Sequence, residues 1–182
     1  LIDRNSLRES RKPSPVELLS PLQLEEVAIG GGEQWMGIYM RGEKVGYVQT
    51  STVPLEGGYR LSERSYMKLV TMGVPQHVLV DTQCTVDTSF SLVSFHFRLV
   101  SAAIRAELRG EVRGTDVHLW ITTGGETRQS VIGLKEPPYL WLNLKSHLAS
   151  RRLNVGDSYT FMLLDPQTLA NAPLELTVLG RE

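Results

Sequence analysis

The stretch Ser91-Leu-Val-Ser-Phe-His-Phe-Arg-Leu-Val100, with Ile104-Arg-Ala-Glu-Leu-Arg-Gly-Glu-Val-Arg113 behind it, decides the fold. In the first run Val93, Phe95, Phe97 and Leu99 alternate with Ser94, His96 and Arg98. In the second, Ile104, Ala106, Leu108, Gly110 and Val112 alternate with Arg105, Glu107, Arg109, Glu111 and Arg113. Side chains change face at every residue of a strand, whereas a helix needs a period near 3.6. Strict alternation over this length therefore reads as two half-buried strands, apolar on one face and charged on the other.

The same pattern spreads in both directions. Upstream, Gln34 to Val53 holds two β-prone runs joined at Arg41-Gly42-Glu43-Lys44, a hairpin signal. Gly42 makes that turn. Gly37 and Gly46 fall inside the strands, where glycine marks a bend or a large side chain lying across the backbone. Tyr59 to Met72 puts Tyr59, Leu61, Met67 and Leu69 on one face and Arg60, Arg64 and Lys68 on the other. Gln76 to Val86 follows, with Val78, Val80, Cys84 and Val86 on the apolar side. Downstream, Val117, Leu119 and Ile121 alternate with His118, Trp120 and Thr122, and a further strand spans Thr127 to Leu134. Short turns between successive strands imply antiparallel neighbours.

Tyr139 to Arg152 carries the one helical pattern, with Leu140, Leu144 and Leu148 on a stripe and Trp141 beside them. Pro138 suits its first turn, and Arg151 and Arg152 its C-terminal end. Strands at Ser158 to Leu164 and Leu174 to Leu179 complete the chain. The expected fold is mainly β: one large curled antiparallel meander sheet, a half-barrel, with an amphipathic helix over about 138–151 packed on its concave apolar face. Residues 1–32 read as a flexible or partly helical arm and 33–182 as a single domain. The chain starts at Leu1 and stops abruptly at Glu182, so a removed upstream segment and a following domain are expected.

Composition excludes little. The 182 residues suffice for one domain that buries roughly 70% of its unfolded surface. With 41% hydrophobic and 21% charged residues the chain is ordinary for a globular protein. A formal net charge of −1 gives no reason to expect nucleic acid. A single cysteine, Cys84, forms no internal disulfide.

Catalytic patterns are thin. Cys84 lies on the apolar face of its strand, a structural rather than a nucleophilic setting. His77, His96, His118 and His147 fit no zinc spacing, and His96 and His118 are separated by a whole strand. Gly30-Gly31-Gly32 lacks the Lys-Ser/Thr and the helix of a phosphate loop. Asp157 and Asp165 read as turn residues. Arg105 to Arg113 reads as a solvated charge ladder or a docking surface. The aromatics carry two readings. Trp35, Tyr47, Phe95, Phe97 and Trp141 line an apolar ligand cavity on the concave face, or they are the core itself.

Trp35-Met-Gly-Ile-Tyr-Met-Arg-Gly-Glu-Lys-Val-Gly-Tyr47 resembles the opening of a bacterial domain found ahead of transglutaminase-like catalytic domains in exported proteins. Met72-Gly-Val-Pro-Gln76, Leu134-Lys-Glu-Pro-Pro-Tyr-Leu140, Val155-Gly-Asp157 and Asp165-Pro166 extend the resemblance over about residues 33–182. Related exported domains resemble the half-barrel of periplasmic lipoprotein carriers. The resemblance implies a noncatalytic, extracytoplasmic accessory domain, periplasmic or membrane-anchored through its N-terminus. Its partner would be a C-terminal transglutaminase-like domain carrying the Cys-His-Asp set, with no cofactor in this part. It would position that domain or bind its protein or peptide substrate. The alternative it implies is an apolar-ligand or lipoprotein-binding module of carrier type.

Overall fold

The computed structural model describes residues 32–71 and 73–179; the expected N-terminal arm, apart from Gly32, lies outside the described residues. Eight strands form one antiparallel sheet in strict sequence order. They are β1 (Gly32–Met40), β2 (Glu43–Leu55), β3 (Gly58–Thr71), β4 (Val74–Asp87), β5 (Leu92–Val100), β6 (Arg105–Arg113), β7 (Asp116–Thr123) and β8 (Glu126–Gly133). The sheet stays open, with β1 and β8 as its edges. Helix α1 (Trp141–Ala149) follows, then a separate two-stranded sheet of β9 (Ser158–Leu164) and β10 (Asn171–Thr177). The expected meander and single helix are both present.

Leu61, Cys84, Phe95, Gly110 and Leu119 stand directly opposite one another across β3 to β7, a buried row that anchors the core. Leu140 and Leu144 from the helix segment and Phe161 and Leu164 from β9 add to the buried side chains. Gly110 belongs there for a spatial reason. The Phe95 ring lies flat across it, and a Cβ at that position would overlap the ring. The strand glycines singled out by sequence behave alike. Gly37 lies under the Tyr39 ring, and Gly46 faces the backbone carbonyl of Tyr66 with no room for a side chain.

The structure corrects several local expectations. Val93 is 46% exposed and Leu92 is buried instead, because a bulge shifts the pairing from Thr85↔Ser94 to Val86↔Leu92. Ile104 is exposed, since the β5–β6 turn extends through it and β6 starts at Arg105. The last strand begins at Asn171, not Leu174, and takes in Pro173; its one partner is β9, and an edge strand tolerates proline.

The helix is shorter than 138–151. Tyr139 is bridged to Leu163 of β9 and exchanges backbone hydrogen bonds with Met162 and Leu164, so it is unavailable to a helix. Leu140 is extended at the N-cap. The buried helix residues are Leu140, Asn143, Leu144, Ser146 and His147, while Leu148 is half-buried and Trp141 is 44% exposed. Polar anchoring explains this rotation. Asn143 Nδ2 donates to Phe90 O at 3.0 Å, and its Oδ1 accepts the Leu140 N–H at 2.8 Å. His147 Nδ1 donates to Ser89 O at 2.9 Å. The β4–β5 turn they grip is held from within, because Asp87 Oδ1 accepts from the Ser89 and Ser91 backbone N–H groups. Phe90, at φ 60°, stacks on Tyr59 with ring centroids 4.8 Å apart. The helix thus closes one end of the sheet over β3 and β4.

Candidate functional site

The polar face of the sheet is built by register. Gln49, Arg64, Asp81, Arg98, Glu107, Thr122 and Thr127 pair one with the next, from β2 to β8. Charges of opposite sign therefore meet directly, the favourable cross-strand arrangement. Asp81 is shared. Its Oδ1 accepts from Arg64 Nε at 2.6 Å and its Oδ2 from Arg98 Nη2 at 2.5 Å. Burial works to raise the Asp81 carboxyl, but the hydrogen bonds and charges of the two arginines outweigh it and hold it below the usual carboxylate range. Glu107 is held low chiefly by its hydrogen bond from Arg109, against desolvation, with His96 Nε2 also bonded to its Oε1 at 2.9 Å.

Two adjoining open hollows lie over these rows. The first, about 320 Å³, is lined by Gln49, Ser51, Ser62, Glu63, Arg64, Thr82, Gln83 and Arg98, with Asp81 between the arginines. The second, about 570 Å³, is lined chiefly by Glu107, Arg109, Glu111, Trp120, Thr122 and Thr127. Gln83 and His96 border both. Toward β1 the same face carries an aromatic run, Trp35–Tyr47–Tyr66–His77, with successive centroids 5.2, 5.7 and 5.8 Å apart. Tyr66 Oη and His77 Nδ1 are hydrogen-bonded at 2.5 Å.

Comparison with family models, curated proteins and solved structures finds no match to this chain.

The five aromatic residues singled out by sequence do not form one group. Trp35 and Tyr47 stack on the polar face near the β1 edge. Phe95 and Phe97, 4% and 3% exposed, are filled core on the opposite face. Trp141 points away from the core on α1. Neither hollow is lined by a residue of the helix. Cys84 is 1% exposed, and burial pushes its thiol up to about 12, which removes the thiolate a nucleophile needs. Asp157 and Asp165 are turn residues, accepting from the Asn154 and Gln167 backbone N–H groups respectively. Among the described residues no group of three metal-ligating side chains gathers, and no helix is long and apolar enough to cross a membrane.

Sequence alone places Arg64 and Arg98 on the polar faces of their strands and does not join them through Asp81. The signal was present in the spacing. Arg64 lies seven residues before Thr71 and Asp81 seven after Val74, the pair nearest the β3–β4 turn, so folding the sequence about that connection brings them opposite.

Proposed function

We propose that this chain is a noncatalytic accessory domain whose task is binding, of the kind that accompanies transglutaminase-like domains in exported proteins. Its binding surface is the polar face, and its ligand is a polar protein or peptide segment. The observation that supports this reading is the pair of adjoining hollows over an ordered charge row. Exposed ion pairs contribute only about 0–1 kcal/mol each. The pairs at Asp81 have arginine side chains 55% and 46% exposed, so they add little to stability. They do hold two guanidinium groups in fixed positions at the floor of a hollow. The resemblance to exported accessory domains rests on the hairpin and turn motifs alone and supplies the extracytoplasmic setting.

The test is nuclear magnetic resonance of the labelled chain titrated with a tryptic digest of casein, a broad pool of unstructured peptides. Shifts confined to Gln49, Arg64, Gln83, Arg98, Arg109 and Trp120 support the reading. Shifts centred on the α1 face, or none at millimolar peptide, overturn it. Amide hydrolysis or acyl transfer by this chain that disappears in Cys84→Ser would equally overturn its noncatalytic part.

A further inference from the structure

The core fills only part of the apolar face. Two rows along from Leu61 and Phe95, Met36 and Val48 stand in line with Val80 and Leu99 across β1 to β5. The next row holds Ile38, Met67 and Val78. Val80 and Leu99 pack on the core cluster, whereas Met36, Ile38, Val48, Met67 and Val78 do not belong to it among the described residues. Met36 is 45% exposed and the other four are half-buried. Helix α1 is anchored at the opposite end of the sheet, where Asn143 and His147 grip the β4–β5 turn. The β1–β4 corner of the apolar face is therefore a patch of five apolar side chains beyond the anchored end of the helix.

We infer that this patch is the seat of the chain's own segment Val16–Val27, which packs its apolar side chains across β1 to β4 of the same molecule. Residues 1–31 precede Gly32, the first residue of the edge strand β1. Within them Val16–Val27 carries Val16, Leu18, Leu19, Leu22, Leu24 and Val27. Gly30-Gly31-Gly32 joins that segment to β1 and lets the chain reverse onto the sheet. Reach agrees with the register. Gly32 stands opposite Thr52, so Val48 lies one strand across and four residues along, roughly 14 Å away. The five residues from Val27 to Gly32 extend to roughly 17 Å, enough to bring the segment over Val48. Connectivity selects this occupant over a free one. A short tether holds the segment at an effective concentration in the millimolar range. A stable second copy needs about 20–30 residues a side, which five side chains do not supply. The inference is independent of the binding role of the polar face, and an apolar corner covered from within leaves the polar face as the one open to a ligand.

The test is nuclear magnetic resonance of the whole chain with isotope labels on its methionine and leucine methyl groups. Nuclear Overhauser contacts from the Met67 methyl to the methyls of Leu18, Leu22 or Leu24 are expected. Their absence overturns the inference. Contacts confined to Met36 place the segment along the sheet edge instead and overturn it equally. A mixture of methionine-labelled and leucine-labelled chains separates one molecule from two. Contacts between the two labels in that mixture come from a second copy and overturn the inference; their loss on mixing supports it. Leu22→Asp with Leu24→Asp should shift the Met36 and Met67 methyl resonances and abolish the contacts, while unchanged Phe95 and Leu119 resonances verify the fold. Methyl resonances of Met36 and Met67 indifferent to that double variant overturn the inference. The contacts in the parent chain are measured without any substitution, so they decide the outcome by themselves.

Discussion

Asn143 is fully buried, and its amide joins the helix to the sheet. Replacing it with alanine deletes two hydrogen bonds at once. Phe90 O and the Leu140 N–H are then left without their partner in a region closed to water. Each orphaned buried group costs about 1–3 kcal/mol, so Asn143→Ala should lose about 2–6 kcal/mol. At about 2–4 °C per kcal/mol for a domain of this size, Tm falls by about 4–24 °C. Trp141→Ala is the control, because Trp141 sits on the outer face of the same helix and should cost less than about 1 kcal/mol. The assay is urea unfolding followed by circular dichroism, with amide exchange to locate the weakened segment. Faster exchange should appear in the β4–β5 turn and α1 before the central strands. A loss below about 0.5 kcal/mol in Asn143→Ala, or a larger one in Trp141→Ala, would refute the rotation of the helix and the anchoring role of the amide.

Three further outcomes are expected. Gly110→Ala forces a Cβ into the buried Phe95 ring and should destabilise by about 1–3 kcal/mol, as overpacking does; Phe95→Leu in that background should recover part of the loss in the same unfolding assay. Burial of His147 lowers its pKa despite its bond to Ser89, so the unfolded chain takes up the proton first. Its contribution is fully present above about pH 6.5, the free imidazole value, and is lost as pH falls through the lower folded value. Urea midpoints measured downward from about pH 8 should show this decline, and a His147→Gln variant with an unaltered pH slope in that window would contradict it. Cys84 should resist thiol reagents in the native protein and react promptly in denaturant, and rapid native labelling would show that the apolar row is open.

The meander was legible because alternation and turn chemistry are local. Glycines at 42, 57, 114, 124 and 125 have positive φ and punctuate the sheet where the sequence predicts turns. Gly37 and Gly46 were also readable, since a glycine inside a β-prone run needs a spatial reason. What local pattern could not reveal was anything set by contact between distant segments. Val93 follows the alternation on paper, and only the bulge opposite Thr85 turns it outward. Leu148 fits a helical stripe, yet Asn143 and His147 rotate the helix because turn carbonyls at Ser89 and Phe90 accept their hydrogen bonds. Polar residues on the buried face of a helix are invisible to a hydrophobic period. Phe95 and Trp35 differ for a related reason: both sit in β-rich runs, and only the pairing register assigns them to opposite faces.

That assignment decides which face has capacity left for a ligand. On the apolar face Leu61, Cys84, Phe95, Leu119, Leu140 and Leu164 are in mutual packing, and opening a cavity among them would forfeit close contacts and expose apolar area at about 25 cal/mol per Å². On the polar face the cost has already been met within the fold. Asp81 neutralises one of two converging guanidinium groups and orients both, so any anionic group reaching this face would meet donors whose rotamers are restricted in advance. Such preorganisation lowers the entropy lost on binding. An exposed charge row of this order therefore adds little to stability and has its main energetic consequence when a complementary ligand desolvates it, which is why the polar face, rather than the apolar one, is where binding is to be sought.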